Sequence, residues 1–385
     1  MLLLAGVIDQ TSLTPREQLG LRLFFDSSLS EPAGIACASC HDPRRAFTGN
    51  NNTMIGVALG SRSDQFGTRD APTIMYLATS PRFGTVERNG KRVPAGGHFW
   101  DGRADTLEEQ ARQPFFNPVE MNNADPSALI AKVAKAEYAD AFRKAWGESI
   151  FSNPESALDA VVASIAAFER TSVFQPFTSK FDHVLRGQAK FTEREQRGLS
   201  SFTLPQKGNC AHCHSVDVAS RSPQKSLFTD FSFRALGLPR STRIPKNADP
   251  AFVDLGLCER VPVAGVTLPV TAAKPAVTDP ATCGFFKTPT LRNITLTAPY
   301  MHNGFFDNLR DAVAFYATRD TDPARWFPGG KKFDDLPARY HANVDVDTPP
   351  YQRRAQQRPQ LTNEEIDDIV EFLYTLTDGY QPKSK

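Results

Sequence analysis

The chain has 385 residues, and its 44 Lys and Arg balance 43 Asp and Glu, so the net charge at pH 7 is +1. This balance gives no electrostatic reason to expect nucleic acid or an anionic membrane as a partner. A hydrophobic content of 40 % with 29 Pro and 24 Gly excludes disorder and is typical of a globular protein of two or three domains with long loops.

The first predicted element is a helix that begins in Thr14-Pro-Arg-Glu-Gln-Leu-Gly20. A Thr followed three residues later by Glu forms a capping box, in which each side chain satisfies a free amide at a helix start. This helix is followed in the sequence by Cys37-Ala-Ser-Cys40-His41, the pentapeptide to which c-type haem is attached. The two thiols reach the vinyl groups of one porphyrin, and the adjacent imidazole reaches its iron.

Two helices are predicted next, over Pro126 to Trp146 and Pro154 to Arg170. The second places a set of apolar side chains on one face: Leu158, Val161, Val162, Ile165 and Phe168. We interpret that face as core and not as the wall of a cofactor pocket.

The helix-then-pentapeptide pattern occurs a second time, as Thr192-Glu-Arg-Glu-Gln-Arg-Gly198 followed by Cys210-Ala-His-Cys213-His214. A shuffled chain of this composition would hold roughly 0.002 such pentapeptides. Zinc ribbons need their Cys pairs roughly 15–20 residues apart, whereas the two pairs here lie 173 positions apart. Metal or disulfide chemistry stays open as an alternative, but the pattern favours two covalent haems in a duplicated module.

The remainder is rich in Pro and turn residues from Ser215 to Thr288, and a last helix is predicted from the capping box at Thr362. Cys258 and Cys283 are left over; they form either a disulfide, the leading interpretation, or two buried free thiols. We predict a mainly α fold with two cytochrome c-like haem domains, residues 1–180 and 181–385, and long ordered loops.

Covalent haem attachment is completed outside the bacterial cytoplasm, so we expect a periplasmic protein. The start Met1–Ile8 is too short for a secretory signal, and we interpret it as a trimmed or re-engineered start whose signal peptide is missing. No stretch reaches the roughly 18–20 apolar residues of a membrane span.

Several further segments resemble the di-haem cytochrome c peroxidase and MauG superfamily, in its MauG-like or MbnH-like branch. They are Phe99-Trp-Asp-Gly-Arg103, Leu107-Glu-Glu-Gln110, Asn117-Pro-Val-Glu-Met121, Phe286-Lys-Thr-Pro-Thr-Leu-Arg-Asn293 and Ala298-Pro-Tyr-Met-His-Asn-Gly304. The resemblance implies a peroxide-reactive haem in the N-terminal domain and an electron-transfer haem in the C-terminal domain. His41 and His214 would ligate the two haem irons.

The resemblance also implies the roles of single residues. Glu120 and Gln110 would lie on the distal side of the first haem with Pro114 nearby, and a carboxylate there can move a proton between the two oxygens of peroxide. Trp100 would relay electrons between the haems. Asp70, Thr297 and Pro299 match the positions that bind a structural calcium, and Asp70 stands where the family often has Asn.

Two departures separate the chain from peroxidases that need reductive activation. No histidine occurs between His41 and His98, so the loop ligand of the first haem has no candidate and that haem should be five-coordinate. The position of the axial Met of the second haem falls on Tyr316, as in MauG. The alternative is that Tyr316 is a helix-face aromatic and that Met301 or His302 is the ligand.

We therefore expect a hydrogen-peroxide-dependent di-haem oxidoreductase that forms a high-valent two-haem state and oxidises a side chain of a partner protein. The alternative within the family is a peroxidase that takes electrons from a small electron-donor protein. A different class, a di-haem electron carrier, would need Met54 or Met75 as the second axial ligand of the first haem.

MauG has a tryptophan that relays electrons two residues before the first cysteine of its second haem segment, where this chain has Gly208. The route by which electrons leave or enter this protein therefore stays open.

Overall fold

A computed structural model describes residues 10–53, 55–88, 90–260 and 279–382. It is mainly helical, with long ordered loops and short two-stranded antiparallel sheets. These described residues divide into two compact units, 10–82 with 104–175, and 83–103 with 176–260 and 279–382. The second unit therefore takes residues 83–103, which the sequence-based division assigns to the first. The start Met1–Ile8 lies outside the described residues.

The first unit is built from helices and one short sheet. Its elements are α1 Pro15–Phe25, α2 Cys37–Cys40, β1 His41–Asp42, β2 Thr48–Gly49, α3 Leu107–Phe116, α4 Pro126–Val133, α5 Ala139–Trp146 and α6 Pro154–Glu169. The single helix predicted over 126–146 is wrong, because the chain breaks between α4 and α5. Tyr138 is buried at this break and its hydroxyl donates to the Asp26 carboxylate at 2.6 Å, a tertiary contact that local sequence does not reveal.

The second unit has its own helices and sheets. Its elements are β3 Gly84–Arg88, β4 Lys91–Ala95, α7 Lys180–Leu185, α8 Glu193–Thr203, β5 Phe233–Arg234, β6 Phe286–Lys287, α9 Leu309–Thr318, α10 Pro323–Trp326 and α11 Asn363–Tyr374. Strand β3 pairs with β4 in the register Gly84↔Ala95, and β5 pairs with β6 in the register Phe233↔Lys287. The predicted capping boxes at Thr14, Thr192 and Thr362 are all confirmed.

Each unit packs its first long helix across a later one at a glycine. A Cβ at Gly20 of α1 would overlap the carbonyl oxygen of Ser164 in α6, and a Cβ at Gly198 of α8 would overlap that of Asp368 in α11. These glycines close the two repeated heptapeptides. The repeat therefore preserves the close approach of the helix backbones as well as the cap.

Gly198→Ala is expected to lower the free energy of unfolding of the haem-loaded protein by about 3 kcal/mol, because the added methyl group meets backbone that cannot rotate away. Urea unfolding followed by circular dichroism measures the loss. Gly329→Ala is the matched control, since no atom lies within 4 Å of a Cβ there. Equal midpoints for the two variants would contradict this packing.

Cys258 and Cys283 form the predicted disulfide in the second unit, and both are fully buried. The bond closes a 25-residue interval of sequence. Replacing both residues by Ser is expected to cost about 3 kcal/mol, because the unfolded chain regains the freedom of that loop. A urea midpoint unchanged from the parent would contradict the estimate.

Within the described residues, no helix is both long enough and apolar enough to cross a bilayer.

Candidate functional site

The first Cys-x-x-Cys-His segment places its histidine at the start of β1. His41 Nδ1 donates to the carbonyl oxygen of Phe47 at 3.0 Å. Burial lowers the pKa of His41, so the imidazole is neutral near pH 7 and Nε2 keeps a free electron pair. A neutral imidazole with Nδ1 on a carbonyl is the arrangement of a histidine that ligates a metal through Nε2.

The second segment repeats this geometry. His214 Nδ1 donates to the carbonyl oxygen of Phe228 at 3.0 Å, and burial lowers the pKa of His214 as well. Phe47 and Phe228 both adopt the left-handed conformation, with φ of 56° and 54°. Because bulky residues rarely adopt positive φ, the matching pair shows that each carbonyl is turned toward its imidazole by the surrounding fold.

Hydrogen bonds around the two phenylalanines extend the repeat beyond the predicted heptapeptides. The Thr73 hydroxyl donates to Ala46 O, and the Thr290 hydroxyl donates to Leu227 O, each at 2.6 Å. These carbonyls belong to the residues that precede Phe47 and Phe228. Sequence reasoning missed this support, although a signal exists: Phe-Thr and Pro-Thr pairs follow both haem pentapeptides.

The four cysteines of the pentapeptides, Cys37, Cys40, Cys210 and Cys213, are free thiols. Burial raises the pKa of Cys37, Cys40 and Cys210 to about 12, so these thiols are uncharged. Each pair of thiols is followed in the sequence by a histidine whose Nδ1 is hydrogen-bonded to a carbonyl oxygen and whose Nε2 can bind iron. The residues at both sites therefore fit a covalently attached haem.

Glu120 lies near the first pair of thiols. Burial is the main cause of the raised pKa of Cys40, and the negative charge of Glu120 raises it further. The turn that carries Glu120 is tied to α3, because the Met121 amide donates to the carbonyl oxygen of Pro114 at 3.1 Å. Gln110 lies one turn earlier on α3. The structure thus brings Glu120 close to Cys40 and links its turn to the helix of Gln110 and Pro114; their catalytic roles stay predictions.

Sequence reasoning missed a second carboxyl group near this site. Glu169, the last residue of α6, is buried, and its Oε2 has no hydrogen-bond partner among the described residues. Burial raises the pKa of Glu169 to about 8, and its charge in turn raises the pKa of Cys37. The residue ends a helix with one apolar, buried face, and the sequence pattern does not distinguish it from the exposed acids of the same helix.

Tyr316 lies near the second pair of thiols. Burial raises its pKa, and the largest charge effects on it come from Cys213 and Cys210. Its ring packs against the buried ring of Tyr351, with centroids 5.9 Å apart. The Arg319 guanidinium lies 4.1 Å over the Tyr351 ring. Tyr316 thus lies near the second haem segment, and its role as an iron ligand stays a prediction. Tyr351 was missed because 35 positions separate it from Tyr316.

The alternative ligands for the second haem have other contacts. His302 stacks on Phe286 with ring centroids 3.5 Å apart, and its Nε2 lies 3.4 Å from the Asp335 carboxylate. Met301 packs against the core of the second unit. Tyr316 as the ligand of the second haem stays a prediction.

Trp100 lies in the second unit and its carbonyl accepts from the amide of Lys287 at 2.7 Å. Its ring meets the His302 ring edge-on, with centroids 6.4 Å apart. Its role as an electron relay stays a prediction.

The predicted calcium ligands are described separately for each unit. In the first, Asp70 is buried and its Oδ1 accepts from the Asn50 side chain at 2.7 Å. In the second, Thr297, which stands two residues before Pro299, is buried, and its hydroxyl donates to Ile294 O at 3.1 Å. Calcium at these residues stays a prediction.

A mainly helical protein with two repeated sites of this kind belongs to the class of di-haem c-type cytochromes. A profile of the di-haem cytochrome c peroxidase family matches residues 14–190. The chain is 37 % identical to the methylamine utilization protein MauG of Paracoccus denitrificans over 374 residues, 94 % of this chain and 89 % of that one. It is 30 % identical to cytochrome c551 peroxidase of Nitrosomonas europaea over 370 residues, which cover 96 % of this chain and 81 % of that one.

Among solved structures, the diheme peroxidase BthA from Burkholderia thailandensis is similar to this chain with a TM-score of 0.86 and 40 % identity, covering 96 % of this chain and 89 % of that one. The protein therefore belongs to the di-haem cytochrome c peroxidase and MauG family. It is an oxidoreductase with two haem c groups.

Proposed function

We propose that the protein uses hydrogen peroxide to oxidise a side chain of a partner protein. Peroxide takes up two electrons and two protons to give two waters, and the partner side chain supplies the electrons. The observation that carries this proposal is Tyr316 beside Cys210 and Cys213, where an oxygen donor would face the second haem iron. Phenolate oxygen favours oxidised iron, whereas a thioether favours the ferrous form. An oxygen donor therefore suits a site that holds an oxidising equivalent.

The residues of the first site would bind peroxide and transfer its proton. When bound, a haem with one open face supplies an iron that binds and activates peroxide. His41 would hold that iron through Nε2, because its Nδ1 donates to the carbonyl oxygen of Phe47. Glu120 would take the proton from the inner peroxide oxygen and deliver it to the outer one. Gln110 would orient the peroxide by hydrogen bonding, and Pro114 would limit the entry of water.

The residues of the second unit would serve electron transfer. His214 and Tyr316 would hold the second haem iron through a nitrogen and an oxygen donor. Trp100, an indole that can lose an electron, would carry electrons between the haems. With both side chains bound to it, the second site would serve electron transfer and not peroxide binding.

The runner-up is a peroxidase that takes electrons from a small cytochrome, and it is kept because the tryptophan route of MauG is missing here. MauG carries its surface-proximal tryptophan at the position of Gly208, but here a Cβ would lie 2.8 Å from Ser201 O and 3.0 Å from Cys210 Sγ. An indole does not fit this position without movement of the backbone. Electrons from a partner would therefore enter by another route.

Two assays on the haem-loaded protein separate the candidates. The first measures peroxide-dependent oxidation of a reduced small c-type cytochrome. The second follows, by mass spectrometry, a protein that co-purifies or is encoded by a neighbouring gene, with and without peroxide. We expect a defined mass change in that protein and slow cytochrome oxidation. Rapid cytochrome oxidation with no modified residue would establish the runner-up instead.

We also propose that the protein works in the periplasm. Its buried disulfide and the thioether attachment of its haems are both suited to a compartment outside the reducing cytoplasm. Fractionation of the native host, followed by haem staining, tests this. Haem-stained protein confined to the cytoplasmic fraction would contradict it.

A further inference from the structure

The turn that carries Glu120 is held by a short hairpin from a distant part of the first unit. Residues 58–67 form this hairpin, in which Gly60 N–H donates to Gln65 O and Gly67 N–H donates to Ala58 O, each at 2.8 Å. From its tip the amide of Ser61 donates to the carbonyl oxygen of Glu120 at 2.8 Å. The main chain of the predicted proton carrier is therefore hydrogen-bonded directly to the hairpin.

Gly60 allows the two segments to come this close. A Cβ at this position would lie 2.5 Å from the carbonyl oxygen of Val119 and 3.1 Å from the amide nitrogen of Glu120. Both are backbone atoms, so no rotamer change can relieve the overlap. Gly60 is not in the left-handed region, which means that space and not backbone conformation requires glycine here.

Other contacts leave the turn little freedom to adjust. Glu120 N–H donates to Asn117 O at 2.9 Å, and Glu31 N–H donates to Met121 O at 2.8 Å. The Ser61 hydroxyl donates to Glu31 O at 2.7 Å and so links the hairpin to the same support. A side chain at residue 60 would therefore move the turn as a whole and displace the Glu120 carboxyl group with it.

We propose that Gly60 and the amide of Ser61 are positioning groups for Glu120, and that the hairpin 58–67 holds its carboxyl group at the first haem. This inference rests on the proposed function, in which Glu120 carries the proton. An error of about 1 Å in the placement of a group that transfers protons can cost about 10²-fold in rate. Gly60 would thus act on catalysis without touching peroxide.

Cyanide association with the ferric, haem-loaded protein tests the inference without turnover. Near neutral pH cyanide is present as HCN, and its proton must pass to a nearby base when the anion binds. We expect Glu120→Gln and Gly60→Ala each to slow association at pH 7 by at least about 10-fold. Gly67→Ala is the matched control in the same hairpin, because its Cβ would meet nothing closer than 3.6 Å, and it should behave as the parent does.

The pH profile separates positioning from simple distortion of the pocket. In alkaline solution cyanide is already ionised, so the defect of Gly60→Ala should shrink. A defect that is equal at every pH would overturn the inference. Normal association in Gly60→Ala beside slow association in Glu120→Gln would also overturn it, and would leave the proposed function intact. Normal association in Glu120→Gln would refute the proposed role of Glu120 itself, and the inference with it.

Gly60→Ala could fail to retain haem, so a second variant keeps the test decisive. Ser61→Pro removes the amide that donates to Glu120 and the hydroxyl that donates to Glu31 O, and it adds no side chain at residue 60. Slow, pH-dependent cyanide association in Ser61→Pro would support the inference, and association at the parent's rate would overturn it.

Discussion

Glu120→Gln is expected to slow the reaction with hydrogen peroxide by about 10²–10⁴-fold, the usual effect of removing a group that transfers a proton in the rate-limiting step. Glutamine retains the size of the side chain and one acceptor oxygen but cannot take up the proton. Both haems should remain attached, because the cysteines and histidines of both pentapeptides are unchanged. Stopped-flow spectroscopy of the first haem measures the rate.

Glu155→Gln is a suitable control for this change, because Glu155 pairs with Arg112 on the surface of the same unit. It should react as the parent does. If Glu120→Gln reacted with peroxide at the parent's rate, the proton would move through another group, and buried Glu169 would be the first residue to substitute.

Tyr316→Met should raise the reduction potential of the second haem by on the order of 0.1 V, because a thioether favours ferrous iron and a phenolate oxygen favours ferric iron. The variant should also lose the lasting two-electron oxidised state after peroxide is added. Spectroelectrochemical titration measures the potential. Peroxide titration of the optical spectrum measures the stored equivalents.

Tyr351→Phe is the matched control for Tyr316→Met, since it removes only the hydroxyl from the ring that packs on Tyr316. Its effect on the potential should be the smaller of the two. An unchanged potential in Tyr316→Met would show that Tyr316 is not an iron ligand.

Features encoded over a few neighbouring residues could be predicted from the sequence. The capping boxes at Thr14, Thr192 and Thr362 each depend on two residues three positions apart, and all three form. The two haem segments are equally local, and each histidine has the hydrogen bond that a metal ligand needs. The disulfide required only the inference that two leftover cysteines in an oxidising compartment pair.

Several contacts between distant residues had no signal in the sequence and could not be predicted. Tyr351 meets Tyr316 across 35 positions, and Ser61 meets Glu120 across 59, with no periodicity to connect them. The break between α4 and α5 accompanies burial of Tyr138 and its bond to Asp26, which is 112 positions away. Glu169 ends an apolar helix, where nothing in the pattern distinguishes a buried carboxyl group from a helix end in solvent.

The electron paramagnetic resonance spectrum of the ferric, haem-loaded protein tests the central claim most directly. The claim is that the first haem iron has an open face, while His214 and Tyr316 occupy both faces of the second. The account predicts one high-spin signal from the first haem together with one low-spin signal from the second. Two low-spin signals with no high-spin component would mean that a protein ligand closes the first haem, as in an electron carrier, and would contradict the account.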